Sequence, residues 1–435
     1  MDPIKVGICG FGTVGSGTFR VLERNSQLIS ARVGREVIVS HVGARRNAHN
    51  IDTGDTLFSP DIFAVARDPE VDILVELIGG YDTARELVLE AINAGKHVIT
   101  ANKALIAVHG NEIFEAAQAK GVTVAFEAAV AGGIPIIKSI REGLAANKIE
   151  WLAGIINGTG NYILTEMREK GRSFADALAD AQALGYAEAD PTFDVEGIDA
   201  AHKLVILASL AFGIPLQFDK AYTEGISQLA IEDIAFADEL GYRIKHLGIA
   251  RRVESGIELR VHPTLIPSHR LLANVNGVMN AVMVEADAVG STLHYGPGAG
   301  SEPTASAVVA DIVDVARTLT ADPEHRVPHL AVQPDRLSSE PVLPIESVTT
   351  SYYLRVSVLD KPGVLAQIAT ILSDAGISIE ALIQKEAPEG QETATIIMLT
   401  NQTLESRMND AIKQIEGIES TRGKVTRVRM EKLEG

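Results

Sequence analysis

The first twenty-five residues constrain the fold most. Ile4 to Gly10 reads as a short buried strand running into Gly10-Phe11-Gly12-Thr13-Val14-Gly15, and a helical stretch follows to about Arg24. This is G-x-G-x-x-G in strand-turn-helix context. The glycines permit a tight turn, let the backbone approach a pyrophosphate, and let the helix pack closely on the strand. The helix N-terminus then offers free N–H groups and a positive dipole end to the phosphates. Gly10, Phe11, Gly12, Thr13, Val14 and Gly15 are therefore candidate cofactor-binding residues.

Strand and helix go on alternating: strand 71–78, helix 83–94, strand 97–100, helix from Ala104, strand 122–126. Repeated β-α-β units imply a parallel sheet with helices on both faces, and ligands at the carboxyl ends of its strands. Thr100-Ala101-Asn102-Lys103 stands at such an end, which directs Thr100 and Lys103 to the nicotinamide or the substrate; a solvated lysine is the alternative. The second strand, 36–42, should end in an acid if the cofactor is NAD. It ends in Gly43-Ala44-Arg45-Arg46. Arg45 and Arg46 without a carboxylate favour a ribose 2′-phosphate, hence NADP over NAD, with acceptance of NAD left open and solvent-facing arginines the other reading.

At 435 residues the chain exceeds one ordinary core, so two or three domains are expected. A formal charge of −18 opposes nucleic-acid and membrane-surface binding and says nothing about which small molecule binds. A single cysteine, Cys9, allows no intramolecular disulfide. With no signal segment and no apolar run of membrane-spanning length, a soluble cytoplasmic protein is expected.

The segment from Ala181 to Lys203 holds the most polar information. A helix ends at Gly185, Asp190-Pro191 marks a loop, and helical periodicity then resumes to about Phe212. Asp199 and Lys203, four residues apart, share a helix face, and Glu188 and Asp194 lie in the loop feeding it. Carboxylates beside one lysine suit a zwitterionic amino acid: acids for its ammonium, a lysine to exchange a proton with an alcohol or carbonyl oxygen. A surface salt bridge at helical spacing is the competing reading.

The pattern Ala181-x3-Gly185-Tyr186-Ala187-x2-Asp190-Pro191-x2-Asp194-Val195-x-Gly197-x-Asp199-x3-Lys203 resembles the signature of the homoserine dehydrogenase family. So do Thr-Ala-Asn-Lys around Lys103, Ala-Gly-Gly-Ile-Pro at 131–135, Asn-Gly-Thr at 157–159 and Gly-Pro-Gly-Ala-Gly at 296–300. The resemblance implies reduction of L-aspartate 4-semialdehyde to L-homoserine, reversibly, in threonine, methionine and isoleucine biosynthesis. Lys203 would be the proton donor, Asp199 would orient it, and Lys103 would touch cofactor and substrate. Glu188 and Asp194 would bind the amino group, with Tyr186, Gly158 and Thr159 also at the substrate. Gly300 and Glu302, after a second glycine-rich turn, would complete the cofactor site. A structural sodium ion would be held near Glu127, Val130, Gly132 and Ile134, mostly through backbone oxygens.

The expected class is α/β: a Rossmann-type doubly wound parallel sheet over 1–134, completed by 297–320, then an α+β catalytic and dimerisation domain over 135–296. A proline-rich linker, 321–349, leads to 350–435, whose β-α-β-β-α-β order with a Pro362-Gly363 turn resembles a ferredoxin-like ACT domain. L-threonine is the effector this implies, in a homodimer or homotetramer; a tail that only dimerises, or one that has lost binding, is the alternative. Two rivals stand beside this reading. An acylating aldehyde dehydrogenase needs a thiolate at the substrate, and Cys9 lies on the first strand. A non-catalytic sensor would have no need of an Asp199 and Lys203 pair.

Overall fold

The computed structural model describes residues 2–47, 49–319, 326–384 and 392–434. Residues 321–325 of the expected linker and 385–391 of the tail lie outside them. The chain divides into two compact units, one of 1–152, 201–219 and 279–340, the other of 153–200, 220–278 and 341–435.

The first unit is built on a parallel sheet of β1 (Ile4–Cys9), β2 (Val37–Gly43), β3 (Leu57–Ser59), β4 (Ile73–Glu76), β5 (His97–Thr100) and β6 (Val124–Ala125). Their order is β3-β2-β1-β4-β5-β6. The order reverses between β1 and β4, which opens a crevice at their carboxyl ends. The linking helices are α1 (Thr13–Arg24), α2 (Ser26–Val33), α3 (Ile62–Arg67), α4 (Asp82–Asn93) and α5 (Lys103–Lys120). Near-continuous apolar strands suit a sheet covered on both faces: Ile4, Val6, Ile8, Ile73 and Val75 are buried with Phe19 of α1. Helix Ser301–Thr318 closes this core with Ala305, Val308 and Ile312. A methyl at Gly17 would stand 2.8 Å from the Ser301 carbonyl oxygen, so this glycine lets the two helices approach. The sequence pattern starts that last helix at Thr304; it starts at Ser301.

In the second unit strands Tyr242–Val253 and Gly256–Pro267 form a long antiparallel hairpin across Glu254-Ser255. The tail has strands Thr349–Leu359, Ile379–Gln384, Thr393–Thr400 and Thr426–Met430 with helices Val364–Asp374 and Glu405–Glu416, the β-α-β-β-α-β order read from the sequence. Its last strand pairs antiparallel with Thr349–Leu359 and also parallel with Gly256–Pro267, through Thr264↔Arg429 and Leu265↔Met430. The tail sheet therefore continues the hairpin sheet. One core beneath it joins Ile163, Leu164 and Ile244 to Tyr353, Ile397 and Val428. The proline-rich approach to the tail is pinned by backbone bonds: Ile257 N–H donates to Pro341 O (2.9 Å) and Leu343 N–H to Ile257 O (2.8 Å).

Candidate functional site

At the crevice of the first unit, Gly10 has φ +95° and a methyl there would lie 2.5 Å from Leu77 O. A methyl at Gly15 would collide with Gly10 O, whereas Gly12 faces open space. These are the three roles that the motif requires of its glycines. Among the described residues no side chain caps the N-terminus of α1 at Gly12, so its first N–H groups are available to an anion. Phe11 is buried edge-on against Phe19 and Phe58 and offers only its backbone. Thr13 contributes a carbonyl that accepts from Ser301 Oγ at 2.7 Å, and Val14 is half-buried in the first turn. A cavity of about 860 Å³ opens here, lined by Gly10, Phe11, Gly12 and Gly79, and by the exposed Arg45 and Arg46 at the end of β2. The lining fits a dinucleotide whose phosphates meet α1 and whose ribose meets the arginines.

A buried acid that sequence reading passed over organises the neighbouring strand ends. Glu76, last residue of β4, accepts from Ile78 N–H (2.9 Å), Gly79 N–H (3.0 Å) and Thr100 Oγ1 (2.5 Å). Burial pushes its carboxyl above the usual range, against those hydrogen bonds. Thr100 Oγ1 in turn accepts from Asn102 N–H (2.9 Å), and Asn102 caps α5 through Leu105 N–H (3.1 Å) while its Nδ2 donates to Gly80 O (2.7 Å). Lys103 is thereby set at the first position of α5, half-buried, and Thr100 spends its hydroxyl inside the protein. The only sequence signal for Glu76 is an acid interrupting an apolar strand at its carboxyl end.

The 127–134 turn carries consecutive left-handed residues, Ala131 at φ +54° and Gly132 at +50°. The Glu127 carboxylate is committed to Ile137 N–H (2.9 Å) and Lys138 N–H (2.8 Å), and Glu127 N–H donates to Asp311 (2.8 Å). Burial raises Glu127 to about 6 and Asp311 to about 8. With the Glu127 side chain engaged and Val130 and Ile134 apolar and buried, these four residues offer a cation their backbone oxygens. Among the described residues no cluster of three or more His, Cys, Asp or Glu could hold a metal. Gly300 has φ +126° and precedes helix Ser301–Thr318; Glu302 in its first turn is exposed and pairs bidentately with Arg24 (2.9 and 3.1 Å).

Asn157, Asp194 and Asp199 lie in the second unit, and Lys203 falls within the 201–219 stretch assigned to the first. Helix Gly158–Lys170 begins after Asn157 because Asn157 Oδ1 accepts from Gly160 N–H (2.7 Å). The Nδ2 of the same side chain donates to Asp194 (2.7 Å) and Asp199 (2.9 Å). Asn157 thus bridges two neighbouring acids that lie 37 and 42 residues further along the chain. Asp199 is buried and Asp194 half-buried. Lys203, half-buried, follows Asp199 by one turn of helix Ile198–Phe212. Thr159 Oγ1 donates to Tyr186 O (2.7 Å), and the Tyr186 ring meets Tyr162 edge-on at 5.1 Å. Glu188 is exposed; its backbone oxygen accepts from Gln182 (3.0 Å). Sequence reading passed over Asn157 as a site residue, although Asn-Gly before a helix is a capping signal. His202 stacks on Phe218 at 4.2 Å and lies 3.3 Å from the Tyr81 hydroxyl, a packing role. Cys9 is fully buried, its thiol donating to Ile62 O (3.5 Å) and pushed up by burial, so it cannot form a thioester.

A glycine turn with free helix N–H groups at the switch point of a parallel sheet defines a dinucleotide-binding protein. Comparison narrows the class. The homoserine dehydrogenase family matches residues 135–313, the homoserine dehydrogenase NAD-binding domain 10–127, and the ACT domain 352–417. The homoserine dehydrogenase of Pseudomonas aeruginosa is 69% identical over 433 residues, covering 100% of both chains. The crystal structure of a homoserine dehydrogenase from Thiobacillus denitrificans superposes with a TM-score of 0.95 at 63% identity, covering 100% of this chain and 99% of that one. A hyperthermophilic archaeal homoserine dehydrogenase in complex with NADPH matches 73% of this chain and 98% of its own, with a TM-score of 0.62 at 26% identity. The chain belongs to the homoserine dehydrogenase family and carries a C-terminal ACT domain.

Proposed function

We propose that this enzyme reduces L-aspartate 4-semialdehyde to L-homoserine, reversibly, with NADPH preferred to NADH. The observation that carries the reading is the Asn157 amide bridging Asp194 and Asp199 one helical turn before Lys203. Asp194 and Glu188 receive the substrate ammonium, and Asn157 keeps the Asp194 carboxylate turned to one side. Lys203 gives its proton to the aldehyde oxygen as that oxygen gains charge, and takes it back from the alcohol in reverse; Asp199 keeps the ammonium of Lys203 charged and oriented. The reduced nicotinamide, when bound, supplies the hydride. Lys103, fixed by the Asn102 cap, holds substrate against cofactor. The basic end of β2, with Arg45 and Arg46 at the cavity, supports NADP, as does the NADPH complex of the archaeal relative.

Sodium at the backbone oxygens of Glu127, Val130, Gly132 and Ile134 would stiffen the turn. L-threonine at the ACT domain is the expected feedback effector, in a cytoplasmic homodimer or homotetramer serving threonine, methionine and isoleucine synthesis. Among the described residues no helix is long and apolar enough to cross a membrane. The test follows absorbance of NADPH and NADH with the semialdehyde for the parent, Lys203→Ala and Arg45→Ala/Arg46→Ala, with and without L-threonine. Collapse in Lys203→Ala, a weakened NADPH preference in the double variant, and suppression by threonine are expected. Activity surviving in Lys203→Ala removes that residue from its role.

A further inference from the structure

A buried ion cluster in the second unit takes no part in the chemistry proposed above. Arg429, on strand Thr426–Met430, is 0% exposed; its guanidinium donates to Glu405 (2.9 and 2.6 Å) and Glu224 (2.7 Å), and it lies 5.0 Å over the Tyr222 ring. Arg427 reaches the same acids, Glu405 at 2.8 Å and Glu224 at 3.5 Å, and the Tyr352 hydroxyl donates to Glu405 at 2.6 Å. Glu405, Arg427, Arg429 and Tyr352 all belong to the tail; Glu224 is the acid from outside it. Burial would raise Glu224, but Arg429 beside it holds the carboxyl below its usual range. A buried ion cluster gives little net stability compared with apolar packing, so its geometry is what it contributes.

The segment that begins at Glu224 is bonded onward to the substrate cluster. Glu224 N–H donates to Val261 O (2.8 Å), and its own oxygen pairs with His246 Nε2 (2.9 Å). Gly225 lies so close that a methyl there would stand 2.7 Å from Val195 O. Ile226 N–H donates to Val195 O (2.9 Å) and Ser227 Oγ to Glu196 (2.7 Å). Val195 and Glu196 directly follow Asp194. Gly197, at φ +84°, would place a methyl 3.2 Å from the His246 ring, which ties the same turn to the hairpin.

We propose that Glu224, clamped by Arg429, is a positioning residue for Asp194: the 224–227 segment carries the placement of the tail's last strand to the carboxylate that receives the substrate ammonium. The proposal rests on the reading of Asp194 given above. It makes the homoserine KM, rather than turnover, the quantity that reports the state of the tail.

Glu224→Gln keeps the shape and removes the charge, and is expected to raise the homoserine KM about fivefold to tenfold with kcat and cofactor KM little changed. Ser227→Ala cuts only the tie to Glu196, is expected to shift the same KM about threefold, and keeps the test alive if Glu224→Gln fails to fold. In an Asp194→Asn background neither substitution should add to the effect. Loss of kcat or thermal stability with an unchanged homoserine KM, or full additivity with Asp194→Asn, would overturn the positioning role. An unchanged homoserine KM in Asp194→Asn alone would remove the ammonium reading itself, and the proposal with it.

Discussion

Asn157 shows how one side chain can build local and long-range order at once. Its oxygen caps a helix and its nitrogen joins Asp194 to Asp199. Asn157→Ala removes a cap worth about 1 kcal/mol and leaves two acids without their shared donor, a loss of about 1 to 3 kcal/mol. The expected outcome is a homoserine KM raised about tenfold or more and a lower thermal midpoint; unchanged kinetics would show that the acids are held by other groups. Two histidines give a second prediction at this scale. Thr123 N–H donates to His97 Nδ1 (3.0 Å) and Val124 N–H to His329 Nε2 (3.1 Å), so both rings must be neutral at those nitrogens. Burial first, then Arg326 near both and Arg141 near His329, lowers each to about 4. Their folded values lie below the unfolded value of about 6.5, so the stability they contribute is complete above about pH 6.5 and lost as pH falls towards 4. Each is worth on the order of 2 kcal/mol after discount for partial exposure. His329→Gln keeps an acceptor without the titration and should flatten the acid limb of a thermal-midpoint profile; an unchanged limb would assign acid unfolding elsewhere.

At the scale of elements, the glycine turn separates folding from binding. A methyl at Gly15 meets Gly10 O, so Gly15→Ala should displace α1 and lower stability and cofactor affinity together. Gly12 has φ −81° and open space, so Gly12→Ala should keep the thermal midpoint of the parent while raising the cofactor KM about tenfold or more by blocking the pyrophosphate. Equal effects of the two substitutions on folding would contradict this division. The turn and the alternating strands were legible in the sequence because each rests on local periodicity and on residue types that sterics dictate. The short β3 and α3, Leu57–Ser59 and Ile62–Arg67, were not. They are too brief to show a period, and sheet pairing stabilises them more than propensity does.

For the molecule as a whole, the continuity between hairpin and tail sheets matters most. Arg260, 1% exposed, relies on Glu431 (2.6 Å) as well as Glu258 (3.0 Å), and Leu265 and Ile244 share a core with Tyr353 and Val428. A chain ending at residue 340 would expose that core and leave Arg260 short of a buried partner, at a cost of about 3 kcal/mol or more. It is expected to aggregate or to melt well below the full chain. A well-folded, fully active truncation would show the tail to be an independent appendage. The dinucleotide turn, the class of the first sheet, the order of elements in the tail and the family signature from Ala181 to Lys203 were determined by the sequence by itself, because each is written in contiguous residues. Only the tertiary structure decided that Asn157 would join two acids more than thirty residues away, that Glu76 would order the loops beneath Lys103, and that Arg429 would reach Glu224. Those contacts depend on sheet pairing and burial between distant segments, and neither leaves a periodic trace along the chain.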